Sequence, residues 1–155
     1  MRRGRGASAR VEPRRVFVDT GAWFAVQVPA DEWHRNAVAT LRALLAGAYA
    51  LVTTNHVVGE TYTLLRVLCG HAAAVRFLDQ LEETRRLERI FVQQETEARA
   101  FRLLRQHTDQ GFSFVDATSF AVMRTERIRH AFAFDHHFST AGFLRVPADV
   151  PVEQI

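Results

Sequence analysis

Four carboxylates in this chain stand in apolar company. Asp19 closes the run Val16-Phe17-Val18, and Glu60 lies in Asn55-His56-Val57-Val58-Gly59-Glu60-Thr61. Asp116 sits in Ser113-Phe114-Val115-Asp116-Ala117-Thr118, and Asp135 follows Phe132-Ala133-Phe134. Burying an unpaired carboxylate costs on the order of several kcal/mol, so such acids need a cation or donors nearby. A group of acids with no matching internal base is the donor set of a hard divalent ion. Mg2+ and Mn2+ take oxygen ligands and keep some of their waters. One such ion, or two set roughly 3.5–4 Å apart, orients a water, lowers its pKa and stabilises charge during in-line attack on a phosphodiester. Each acid also has an ordinary reading. Asp116 can simply cap a helix, Asp19 can be a turn residue at a strand end, Glu60 can pair with an arginine, and Asp135 can cap the turn His136-His137-Phe138.

Composition narrows the chemistry further. All 20 basic residues are arginine; the chain has no lysine. That excludes a Walker A phosphate loop and Schiff-base catalysis, both of which need a lysine amine. The single cysteine, Cys69, excludes an internal disulfide and a cysteine-rich zinc site. A length of 155 residues, with 48% hydrophobic and 24% charged residues, fits one ordinary globular domain. No apolar stretch approaches the roughly 18 residues of a membrane span, and the N-terminus has no signal-peptide core. A cytoplasmic setting, without membrane association, is the expectation. The net charge of +3 is uneven: residues 1–15 hold six arginines against Glu12, and the rest carries 14 arginines against 16 acids. Residues 1–15 therefore read as a basic tail without fixed structure, and residues 16–155 as the folded domain. Such a tail suits nucleic-acid phosphates, although a leader segment has the same composition.

The elements that must position the acids alternate between short apolar runs and helical patterns. Val16–Val18 reads as a strand, Thr20–Val26 as a short helix, and Asp31 as the N-cap of a helix reaching Ala46. Ala50–Val52 is a second strand, with Thr53 or Thr54 capping a helix that carries Val57, Glu60, Leu64, Leu65 and Leu68 and stops at Gly70. His71–Thr84 is amphipathic, Leu87–Val92 a third strand, and Thr96–His107 helical. Ser113 opens a helix to about Glu126, with Asp116 placed as the partner of a capping box. Ala131–Phe134 is a fourth strand and Phe143–Val146 a fifth. Apolar strands separated by helices predict an α/β fold with a mostly parallel central sheet and helices on both faces. In such a sheet, ligands bind outside the C-terminal strand ends at the topological switch point. Asp19 and Asp135 follow strands, while Glu60 and Asp116 lie on helices that begin at that same edge, so all four are expected to face one cavity.

The order Val-Phe-Val-Asp19-Thr20, Glu60, Ser113-Phe-Val-Asp116-Ala-Thr-Ser and Phe134-Asp135-His136-His137-Phe138 resembles a PIN-domain ribonuclease, and within that class the VapC-type toxins of bacterial toxin–antitoxin pairs. The resemblance spans about residues 16–147. It implies an endonuclease dependent on Mg2+ or Mn2+ that acts on RNA, a PIN-like parallel sheet, frequent homodimers and a small antitoxin partner. By motif match, Asp19, Glu60 and Asp116 take the core acidic positions, Asp135 takes a more variable fourth, and Thr20 matches a supporting hydroxyl. Ser113 is the further supporting residue. The arginine-rich start departs from the family's usual beginning close to the first strand.

Two rivals remain at this stage. One is a non-catalytic RNA- or protein-binding module on the same fold. The other is a phosphatase with Asp19 as nucleophile, which Gly21 disfavours because such enzymes often place a second Asp there. The other polar residues are less informative. His136 and His137 read as surface turn residues, with contact to an RNA phosphate as the alternative. Trp23, Phe24 and Trp33 read as core, with an antitoxin groove as the alternative. Arg66, Arg76, Arg85 and Arg86 read as solvated helix faces, with guidance of RNA as the alternative.

Overall fold

Five short strands form one sheet in the order β3-β2-β1-β4-β5, every neighbouring pair parallel. The structure, a computed structural model, describes residues 12–155. The basic segment expected over residues 1–15 thus lies mostly outside the described residues. The strands are β1 (Arg15–Val18), β2 (Ala50–Thr54), β3 (Leu87–Ile90), β4 (His130–Phe132) and β5 (Leu144–Val146). The helices are α1 (Thr20–Gln27), α2 (His34–Ala46), α3 (Asn55–Cys69), α4 (His71–Glu83), α5 (Gln94–Gln106), α6 (Phe114–Thr125) and α7 (His137–Thr140), with a 3-10 turn at Val152–Gln154. No helix of the described residues is long and apolar enough to cross a membrane.

β1 is the central strand, and its composition explains why. Val16, Phe17 and Val18 have no exposed surface, because helices cover both faces of the sheet. Phe17 pairs with Val52 on one side and Ala131 on the other. The chain builds outward from β1 through β2 to β3, then returns to the opposite side of β1 for β4 and β5. The topological switch point therefore lies between the C-terminal ends of β1 and β4, where an open parallel sheet offers its crevice. Asp19 leaves β1 there, with its N–H donating to the Phe132 carbonyl at 3.1 Å.

Local chemistry sets the helix boundaries near that edge. Thr54 caps α3 by accepting the Val57 N–H at 3.1 Å. Ser113 and Asp116 form a full capping box at the start of α6. Gly70, at φ 89°, turns the chain between α3 and α4 in a conformation that a β-carbon disfavours. Below α6 the core is aromatic: Phe120 meets Phe138 edge-on at 5.0 Å and Phe112 at 5.2 Å.

Several boundaries differ from the sequence reading. Asp31 does not cap α2; its Oδ1 accepts the Trp33 N–H at 2.8 Å in a local turn, and the helix starts at His34. β3 ends at Ile90, because the Val92 N–H turns away to Asn55 Oδ1 at 2.9 Å. α5 begins at Gln94 rather than Thr96. β4 ends at Phe132, and the Phe134 carbonyl instead accepts from Arg145 Nη1 at 2.8 Å. β1 begins one residue early, at Arg15, whose guanidinium bridges Glu88 at 2.8 Å and Glu126 at 2.9 Å. Arg14 also belongs to the body: its carbonyl accepts from Ala50, and its guanidinium donates to the Ile155 carbonyl.

Candidate metal centre

Asp19, Glu60, Asp116 and Asp135 line one cavity of about 510 Å³ at the switch point, together with Thr20, Gly21, Ser113 and His137. Asp19 comes from the end of β1, Glu60 from the second turn of α3, Asp116 from the first turn of α6, and Asp135 from the loop after β4. No arginine is among the described residues that line the cavity. The acids are therefore gathered without the cationic partners that would otherwise neutralise them.

Asp19 feels this most. Only 5% of it is exposed, and its pKa is pushed up to about 7. Burial is the main cause, and the negative charges of Asp116 and Glu60 add to it. The amides of Thr20 and Gly21, at the N-terminus of α1, pull the other way without closing a side-chain cap on that helix. The neighbouring hydroxyl is also unsatisfied. Thr20 Oγ1 is buried and has no hydrogen-bond partner among the described residues.

Asp116 is held more firmly. Its Oδ2 accepts the Ser113 N–H at 2.9 Å and faces His137 Nδ1 at 3.0 Å. A carboxylate is acceptor-only, so this contact assigns the imidazole proton to Nδ1. Oδ1 accepts no hydrogen bond within the described residues. Asp135 uses its Oδ1 to accept the His137 N–H at 2.9 Å, which makes it the cap of the short turn into α7. Its Oδ2 lies 3.4 Å from His137 Nδ1. The imidazole thus bridges the two acids, with 18% of its side chain exposed. The expectation of a surface turn residue fits His136, which is exposed, but not His137. Nothing local marks His137, because its partner Asp116 lies 21 positions away.

The donor set fits a hydrated divalent ion. It offers carboxylate oxygens, one of them on a buried acid with a raised pKa, and an orphaned hydroxyl suited to a bound water. The acids are not collapsed onto one point. Among the described residues, the ligand group whose atoms all lie within 4.8 Å of one another is Asp135, His136 and His137. A hard divalent ion that keeps some of its waters does not need every ligand to meet that limit.

The aromatics divide. Trp23 is fully buried against Phe77. Phe24 and Trp33 line the cavity, where Trp33 stacks on Phe134 at 5.1 Å and is 43% exposed. With Leu64 and Leu68 they form an apolar rim around the acidic floor. His56 stacks on Phe114 at 5.5 Å and does not line the cavity. Arg66, Arg76, Arg85 and Arg86 are exposed and also lie outside its lining.

An acidic cavity at the switch point of a five-stranded parallel sheet is the arrangement of the PIN domain, whose family pattern matches residues 16–144; this chain belongs to that family. It is 44% identical over 132 residues to the 23S rRNA-specific endonuclease VapC20 of Mycobacterium tuberculosis, covering 84% of this chain and 97% of that protein. It is 30% identical over 126 residues to a VapC ribonuclease of Archaeoglobus fulgidus, covering 80% of this chain and 79% of the relative. The crystal structure of Mycobacterium tuberculosis VapC20, described as a sarcin–ricin loop cleaving toxin, superposes with a TM-score of 0.73 at 41% identity. That match covers 83% of this chain and 96% of the crystallised one.

Proposed function

We propose that this chain is a divalent-metal-dependent endoribonuclease, the cytoplasmic toxin of a toxin–antitoxin pair, with structured ribosomal RNA as its substrate. The observation that carries the reading is the set of four carboxylates on one cavity with no arginine in its described lining. Family membership supports the activity, and the substrate named for the VapC20 relatives supports the RNA class.

In this reading Asp19, Glu60, Asp116 and Asp135 hold Mg2+ or Mn2+. An ion held there would supply Lewis-acid polarisation of a water and of the scissile phosphate. Ser113 and His137 fix Asp116 through Oδ2, which leaves Oδ1 without a protein partner among the described residues. Thr20 Oγ1, which has no partner among the described residues, would be free to orient a water beside Asp19. The apolar rim of Phe24, Trp33, Leu64, Leu68 and Phe134 is the face for a small antitoxin.

Cleavage of an end-labelled hairpin RNA, with Mn2+ and with chelator, tests the reading. Discrete internal cleavage that appears only with metal is expected. RNA binding without metal-dependent cleavage would favour the non-catalytic module. Hydrolysis of a phosphomonoester instead would favour the phosphatase.

The N-terminal segment has a separate role in this proposal. Residues 1–11 contain Arg2, Arg3, Arg5 and Arg10 and no acid. Each phosphate neutralised on single-stranded RNA contributes about 0.7 to the salt slope, so deleting residues 1–11 should lower the slope by up to about 3. Turnover at saturating RNA should persist, because the proposed ligands begin at Asp19. Loss of saturated turnover in a still-folded deletion would make the segment part of the catalytic apparatus.

A further inference from the structure

A second cleft, of about 340 Å³, lies between α5 and α6 and is lined by Arg99, Arg102, Gln106, Arg124 and Thr125, with Leu103 and Ala121 at its base. Three guanidinium groups share it. Arg99 donates to Thr125 Oγ1 at 2.7 Å and lies 3.9 Å from Glu95, whose side chain is 86% exposed. Arg124 donates to the Ala141 carbonyl at 3.3 Å and sits over the Phe143 ring. Arg102 makes no hydrogen bond or ion pair within the described residues. One solvated carboxylate therefore faces three cations, and the cleft keeps a surplus of positive charge.

Its position gives that surplus a use. Arg124 and Leu103 also line an adjoining cleft of about 240 Å³, together with His107, Gln110, Phe112, Thr140 and Ala141. Phe112 packs edge-on against His137 at 5.3 Å, and its neighbour Gly111 lines the acidic cavity. The loop before α6 thus lies between the two sites: Phe112 lines the cleft that shares Arg124, and its neighbours Gly111 and Ser113 line the acidic cavity. Along α6, Arg124 lies eight positions beyond Asp116, about 12 Å of helix rise. The arginines are thus set back from the reacting atoms but within reach of the same polyanion.

We propose that Arg99, Arg102 and Arg124 clamp backbone phosphates of the substrate RNA on one side of the scissile bond, and so select structured RNA over short strands. This rests on the ribonuclease reading for its ligand. The planar guanidinium fork pairs with phosphate oxygens in bidentate geometry, which an ammonium does not match. An acidic protein segment would also meet three arginines. RNA is favoured because one loop, Gly111-Phe112-Ser113, borders both the adjoining cleft and the cavity proposed to hold the scissile phosphate.

Binding is measured by fluorescence anisotropy with the full chain carrying Asp116→Asn to prevent cleavage. Two probes are used: a labelled hairpin RNA, and a short RNA spanning only the cleavage position. Replacing all three arginines with Gln should weaken hairpin binding about tenfold or more and lower the salt slope by about 2. The short RNA should change by less than about twofold, and Lys at all three positions should restore most of the salt slope. Arg99 and Arg124 also bond to the protein, so Arg102→Glu alone provides a variant that removes no internal bond; it should weaken hairpin binding several-fold. Unchanged hairpin affinity and salt slope in both variants would overturn the clamp. Equal losses on both RNAs would also overturn it, as would lost affinity for a protein partner with RNA binding intact. Because the readout is binding, failure of the ribonuclease reading is separable. A wild-type chain that grips the hairpin through these arginines yet cleaves nothing with Mg2+ or Mn2+ leaves the clamp standing.

Discussion

Asp116→Asn should reduce hairpin cleavage by about a thousandfold or more at saturating metal, with RNA affinity nearly unchanged. A thousandfold loss corresponds to about 4 kcal/mol of transition-state stabilisation, within the several kcal/mol that a bound metal supplies. The substitution is close to isosteric. The amide oxygen can still accept the Ser113 N–H that Asp116 Oδ2 accepts now at 2.9 Å, so the capping box and α6 should survive. What is lost is the negative charge at a residue only 8% exposed, beside Asp19 in the same cavity. Single-turnover rates across a Mn2+ titration check this, with circular dichroism reporting the fold. A variant retaining a tenth or more of the wild-type rate at low metal would place Asp116 outside the metal's ligands and reduce it to a helix cap. Asp135→Asn should cost less. That acid sits at the exposed rim, and Oδ1 is already engaged by the His137 N–H.

Much of this site could be read from the chain because its determinants are local. A strand too apolar to be half-exposed and ended by an acid placed Asp19. The spacing of Ser113 and Asp116 announced the capping box that starts α6. Alternation of apolar strands with helices gave the parallel sheet, and its switch point then gave the edge where the acids meet. What escaped depends on contacts distant in sequence. The end of β3 is set by Asn55 taking the Val92 N–H, and the end of β4 by Arg145 reaching the Phe134 carbonyl. Asp31 is the local exception: its carboxylate accepts the Trp33 N–H in a turn that carries the same sequence signal as a helix cap. His137 carried no signal, since its neighbour His136 has the same residue type and local context and yet points to solvent. The arginine cleft was invisible for a similar reason. Arg99 and Arg102 on α5 become a cluster with Arg124 only when α5 and α6 pack side by side.

In metal-free solution, Asp19→Asn should stabilise the protein at pH 8 by a few kcal/mol and leave it unchanged near pH 4. The Asp19 carboxyl has its pKa raised from 3.8 to about 7 in the folded state. Its contribution is therefore fully present below the unfolded value and is lost as pH rises through the folded one. A shift of about three units is worth roughly 4 kcal/mol across that window. Asn removes the titration and with it the loss. In a chain of this size, each kcal/mol moves the melting temperature by roughly 2–4 °C, so the pH 8 difference should approach 10 °C. Asp149 does not confuse the window. Its bonds to Arg145 hold its pKa down at about 2, so its contribution is present above the ordinary carboxylate range and fades only as pH falls toward that value. Metal narrows the gap between the two proteins at pH 8. Mg2+ or Mn2+ at about 100 times its dissociation constant adds roughly 2.7 kcal/mol to a chain that binds it only when folded, and wild type should gain far more than the Asn variant. The gain should shrink as pH falls below 7, because protons compete for the same carboxylate. Melting curves across pH, with chelator and with metal, check both halves. If wild type and Asp19→Asn melted together at pH 8 in chelator and responded alike to metal, Asp19 would be neither strained by its neighbours nor a ligand, and the acidic cavity would lose its centre.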